Sequence, residues 1–184
     1  MKRVVLWVGA MLVCAGCGSG RQGDGMVQRL VGQKIVFSDS LLASARLWMS
    51  DSLWSQAVAA VPKILVCVTA QECNVCQMHI PQWNIYMREL KRWQGEIPLI
   101  FVVAERPEKA VPAVRDGHCP ATVLTDPGSG FWEANNLPVH PVFNTFLLDG
   151  DNRIVLVGSP IGNAAMWRLY RSAIDTLRAD GERG

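Results

Sequence analysis

Two thiols three positions apart, Cys73 and Cys76, lie in the stretch ILVCVTAQECNVCQMHIPQW, between an apolar run and a segment of helical period. With a helix starting near Asn74, the Cys73 sulfur meets free backbone N–H groups at a helix terminus, which stabilise thiolate over thiol. Cys76, one turn later, is within reach to resolve a mixed disulfide, so the pair suits thiol–disulfide exchange. Glu72 acts the other way, because a carboxylate beside a sulfur opposes its ionisation. Two further uses stay open. One is a structural or degenerate disulfide. The other is a metal site joining the pair to His79, or to Cys67 and Cys119, but structural zinc takes four convergent ligands and nothing places a fourth. Exchange is the preferred reading, and no metal or cofactor is expected.

The other candidate groups have plainer readings. Cys67 and Cys119 are read as small buried apolar side chains or as a second bridge. His118 and His140 are read as polar loop residues. Asp149 and Asp151 belong to a turn and lack the full spacing of a calcium loop.

The elements around the pair follow from periodicity. KILVCVTA and IPLIFVVAE are continuous apolar runs, as in strands covered on both faces. Between them Ile80, Trp83, Met87 and Leu90 recur at steps of three and four, predicting an amphipathic helix that Pro81 bends. This is a β-α-β unit with parallel strands. A helical stretch near 107–115 and a short strand ATVLT follow, and DPGSG interrupts as a turn. FNTFLLD and RIVLVG, joined through GDN, predict an antiparallel hairpin. A last helix is expected from SPIGN, with Ser159 as cap, Pro160 in the first turn, and a buried stripe of Met166, Leu169, Ala173, Ile174 and Leu177. Before the β-α-β unit, QKIVF is expected as an edge strand, and the segment 40–61 as partly helical. The predicted class is α/β, a mixed central sheet flanked by helices with an N-terminal extension.

Composition agrees with a packed domain: 49% of the 184 residues are hydrophobic and seven are tryptophan. Eighteen basic and sixteen acidic residues give a formal charge of +2. With no clustered basic patch visible, nucleic-acid binding is not expected. Lys2 and Arg3 precede an apolar run, Val4 to Val13, and then small residues, the pattern of a bacterial export signal and too short for a membrane span. Export implies an oxidising compartment in which disulfides persist.

Two resemblances extend this reading. The box CAGC resembles that of bacterial lipoprotein signals, which implies cleavage before Cys17 and lipid attachment to it. The expected organisation is then a signal over 1–16, a lipidated cysteine and flexible tether over 17–32, and one domain over 33–184. The place implied is the bacterial cell envelope, periplasm-facing and membrane-anchored through the N-terminal lipid. The run CNVCQMHIP resembles the active-site segment of thioredoxin-like proteins, particularly exported TlpA/ResA-type thiol-disulfide oxidoreductases, and FNTFLLDGDNRIVLVG resembles their strand-turn-strand. Cys73, Cys76 and Pro81 match, while His79 stands where glutamate is common. The resemblance covers about residues 60–180 and implies a thioredoxin-like fold. It also implies catalysis by Cys73 and Cys76, and protein thiols or disulfides plus an upstream redox partner as partners. In that family a cis-proline faces the dithiol and holds substrate. Phe143 aligns with it and Pro141 lies two residues earlier, so Glu72, Pro141 and Phe143 are the implied substrate-binding positions.

Overall fold

The computed structural model describes residues 19–45, 49–69 and 74–181. The signal segment, Cys14, Cys17, Trp48, Glu72 and Cys73 lie outside them. In chain order the elements are α1 (Ser19–Leu30), α2 (Asp39–Ala45), α3 (Asp51–Ala59), β1 (Lys63–Val68), α4 (Asn74–Gln77) and α5 (Ile80–Gln94). Next come β2 (Leu99–Val103), α6 (Pro107–Asp116), β3 (Ala121–Thr125), α7 (Gly130–Ala134) and a 3-10 turn (Pro141–Phe143). β4 (Thr145–Leu148), β5 (Ile154–Val157) and α8 (Ala164–Gly181) are the last elements among the described residues.

The strands form one sheet in the order β3-β2-β1-β4-β5. β1, β2 and β3 are parallel, and β4 runs antiparallel to both β1 and β5. All of β1 and β2 is buried, as their unbroken apolar runs require. Strand alternation divides the interior into two cores. Ile64, Val66 and Val68 join Leu99, Phe101 and Val103 beneath α5, α6 and α8. Leu65 and Cys67 join Ile100, Val102, Phe146 and Leu148 beneath α1, α2, α3 and α7. The mixed sheet flanked by helices is the predicted class.

The helix after the dithiol is split where one bent helix was expected. His79 takes a left-handed backbone, φ 48°, separating α4 from α5, and Pro81 falls in the first turn of α5. A missing N–H costs nothing there, because the first-turn donors have no acceptor within the helix. The predicted stripe is intact: Ile80, Trp83, Met87 and Leu90 are the buried residues of α5.

Four other expectations change. The glycine-rich stretch read as a tether is helical over Ser19–Leu30, with Leu30 buried and Met26 and Val27 packed on the second core. QKIVF contributes a single bridge, Lys34 to Arg153, in place of a strand. The last helix starts later than expected: Asn163 Oδ1, not Ser159, accepts from the Met166 N–H at 3.0 Å, while Ser159 Oγ serves the turn before it. Its buried stripe holds at Met166, Ala173, Ile174 and Leu177, but Leu169 is exposed and Tyr170 is fully buried instead. Burial of that tyrosine is tolerated because its hydroxyl donates to the Gly158 carbonyl at 3.0 Å.

Candidate functional site

β1 delivers the chain to the site. The described chain resumes at Asn74 with α4, a single turn that carries Cys76. So short a helix has little macrodipole, which weakens the expected electrostatic help to a sulfur at its start. Cys76 is exposed and disulfide-bonded. The Cys76 carbonyl accepts from the His79 N–H at 3.3 Å, closing the turn into α5.

Beside this turn lies a cavity of about 240 Å³. Gln77, His79 and Asn144 contribute its polar lining, Trp83 and Ile161 its apolar lining, and Pro141 closes it from the opposite chain segment. Pro141 opens a 3-10 turn whose geometry is locally fixed. His140 Nδ1 accepts from the Val142 N–H at 3.3 Å, and the His140 carbonyl accepts from the Phe143 N–H at 3.0 Å. The turn is tied to the central strand, since the Cys67 N–H donates to the Asn144 carbonyl at 2.7 Å.

Of the three positions implied for substrate contact, Glu72 lies outside the described residues, Pro141 lines the cavity, and Phe143 packs on the second core. The motif alignment had put Phe143 at the facing position, but the 3-10 turn carries Pro141 inward instead. Among the described residues the one cis peptide precedes Pro62, so the His140–Pro141 bond is trans. His79 is exposed and lines the cavity; His118 is exposed and does not. His140 shapes the turn through its hydrogen bond.

Cys67 and Cys119 are free and buried, and they belong to different cores. No bridge joins them, and they do not converge on a common site. Burial pushes the Cys119 thiol up to about 11 and the Cys67 thiol higher still. Asp149 holds the β4–β5 turn, its Oδ1 accepting from the N–H groups of Asp151 and Arg153 at 2.9 and 2.8 Å.

Lys63 has no counterpart among the residues singled out from sequence. It opens β1 fully buried, with Nζ donating to the carbonyls of Ala60 and Asp149, each at 2.8 Å. Desolvation lowers its pKa to about 8, against the pull of Asp149 and Asp151. The only hint in the sequence is a lysine directly heading an apolar strand.

No family model matches the sequence, and no curated protein matches it either. Solved structures do. Copper-bound ScoI of Arabidopsis thaliana aligns with TM-score 0.50 and 11% identity over 67% of this chain and 88% of its own. The fold is thioredoxin-like. Peroxidoxin BcpB of Mycobacterium tuberculosis aligns at 16% identity and TM-score 0.48, over 68% of this chain and 84% of its own. A thioredoxin-like protein of Porphyromonas gingivalis aligns at 20% identity and TM-score 0.44, over 64% and 76%. Identities this low bear on the fold alone. In this thioredoxin-like domain, no helix among the described residues is long and apolar enough to cross a membrane.

Proposed function

We propose that this chain is a thioredoxin-fold domain of the bacterial cell envelope that docks polypeptides beside Cys76 and exchanges disulfides with them through Cys73 and Cys76. The observation that carries the reading is an exposed, disulfide-bonded Cys76 next to a cavity with a polar lining and a proline wall. In the reduced protein the Cys73 thiolate attacks one sulfur of a partner's disulfide. That S–S bond breaks, a mixed disulfide forms, and the first partner thiolate leaves. Cys76, having given up its proton, then attacks the Cys73 sulfur and releases the second partner thiolate, so two electrons pass to the partner. An upstream dithiol partner restores the starting state by the reverse exchange. Pro141 is the docking residue at the cavity, Glu72 is proposed as a further substrate contact, and lipid on Cys17 tethers the domain to the membrane.

The same cavity also serves a second reading, a non-enzymatic interaction lipoprotein whose dithiol is structural. Its specific support is the trans His140–Pro141 bond and the side chain of Phe143 committed to the second core. These features of the cleft speak for docking more directly than for electron transfer. A redox titration of the protein, with thiols located by mass analysis, separates the two. Exchange requires Cys73 and Cys76 to equilibrate with a dithiol buffer, with Cys73→Ser abolishing insulin-type disulfide reduction and Cys76→Ser trapping mixed disulfides. A pair that stays oxidised throughout the titration establishes the binding module instead.

A further inference from the structure

On the outer surface of α5 and α8, Ile85, Arg88, Arg92, Trp93 and Arg171 line a groove that shares no residue with the cavity beside Cys76. Three guanidinium groups meet there with one carboxylate, Glu89. That carboxylate is already occupied, accepting from Trp167 Nε1 at 3.1 Å and facing Arg171 Nη1 at 3.7 Å. The Arg171 guanidinium lies over the Trp93 ring, 4.6 Å from its centroid, which orients it at the groove. Arg88 and Arg92 are exposed, one helical turn apart, and no carboxylate among the described residues reaches either. Arg92, in the last turn of α5, also suits the helix dipole, but that does not account for Arg88.

Beside these charges Ile85 is 58% exposed and Trp93 is partly exposed. An apolar residue and a tryptophan beside two arginines that no carboxylate among the described residues pairs is the composition of a surface that rests on anionic lipid headgroups, with the ring at the interface and the guanidinium groups on phosphates. A soluble acidic partner would satisfy the arginines but would leave the isoleucine unexplained. We propose that this α5/α8 groove is a membrane-contact face for anionic lipid. On the proposed reading, lipid on Cys17 already brings the domain to the bilayer, and a cationic patch is the kind of second signal that fixes which face lies on it. Because the groove and the cavity have separate linings, the domain can lie on the bilayer with the cavity still open to a partner.

The test is vesicle sedimentation of the full chain on pure phosphatidylcholine and on phosphatidylcholine with phosphatidylglycerol. The wild type is compared with Arg88→Gln/Arg92→Gln and with Ile85→Ser. The N-terminal segment is common to all three proteins, so its own lipid affinity cancels. The double variant should partition about tenfold or more weakly onto the anionic vesicles at low salt, and equally onto the neutral ones. Ile85→Ser should weaken anionic binding while keeping its salt dependence, and brominated anionic lipid should quench wild-type tryptophan fluorescence. Equal anionic partitioning of the double variant and wild type overturns the proposal. So does a polyglutamate competitor that binds the groove as strongly as the vesicles do, which would assign the face to an acidic protein.

Discussion

The Cys67 sulfur sits mid-strand at 1% exposure among Leu65, Ile100 and Phe146, and its ionisation would strand a charge in hydrocarbon. Cys119 is held up at about 11 by the same cause in the other core. Reactivity follows the thiolate, so neither residue competes with an exposed Cys76 for disulfide partners. Alkylation of the reduced native protein should therefore leave Cys67 and Cys119 unmodified until denaturant is added, as peptide mass analysis would read out. Labelling of Cys67 in the native state would mean that the second core opens on the time scale of the reagent. Cys67→Ala should cost about 1 kcal/mol in urea unfolding, through lost packing alone, and should leave disulfide exchange unchanged. A loss of exchange without a loss of fold would give Cys67 a role that its burial argues against.

Where helices meet, the beginning of α5 is fixed against the end of α6. Asn84 Nδ2 donates to the Gly117 carbonyl at 2.7 Å, and a Cβ at Gly117 would fall 2.5 Å from Ile80 Cγ2 and 3.0 Å from the Ala113 carbonyl oxygen. Ile80 is buried and backbone cannot yield cheaply, so Gly117→Ala should destabilise by about 1–3 kcal/mol. Thermal unfolding measures this, and an unchanged midpoint would show that α6 shifts freely. The same junction marks what the sequence made legible. The α5 stripe, the parallel β-α-β unit and the β4–β5 hairpin were readable because their apolar spacing repeats locally. By contrast, α1 hid behind glycines and charge, since Leu30, Met26 and Val27 only become a helix face when the second core is there to receive them. The short α7 hid for a similar reason, its Phe131 and Trp132 being buried by distant partners. At the site, the thiol spacing and Pro81 were local signals. The choice of Pro141 over Phe143 at the cavity depended on a 3-10 turn anchored to β1 across the sheet, which spacing does not encode.

Taken across the whole molecule, the buried ionisable groups set how stability varies with pH. Lys63, ordinarily at 10.5, is lowered to about 8 in the folded protein, so between those values the unfolded chain binds more protons and stability rises with pH. Cys67 and Cys119, ordinarily at 9.0, are raised by burial, so above pH 9 the folded chain keeps protons that the unfolded chain releases, and stability falls. Tyr170, also raised by burial, adds to the fall above its ordinary 10.0. Among the described residues, the lysine acts alone from pH 8 to 9, and above 9 two thiols oppose one amine. Urea unfolding of the oxidised protein from pH 7 to 11 should thus show a maximum near pH 9. Lys63→Met should lose the rise below the maximum and keep the fall above it. Cys67→Ala/Cys119→Ala should push the maximum toward pH 10, where Tyr170 begins to act. If wild type and Lys63→Met trace parallel curves from pH 8 to 9, the amine is not desolvated in the folded protein. The carbonyls of Ala60 and Asp149 would then hold a fully protonated lysine at the start of β1, the end of the strand opposite the one that leads to the dithiol.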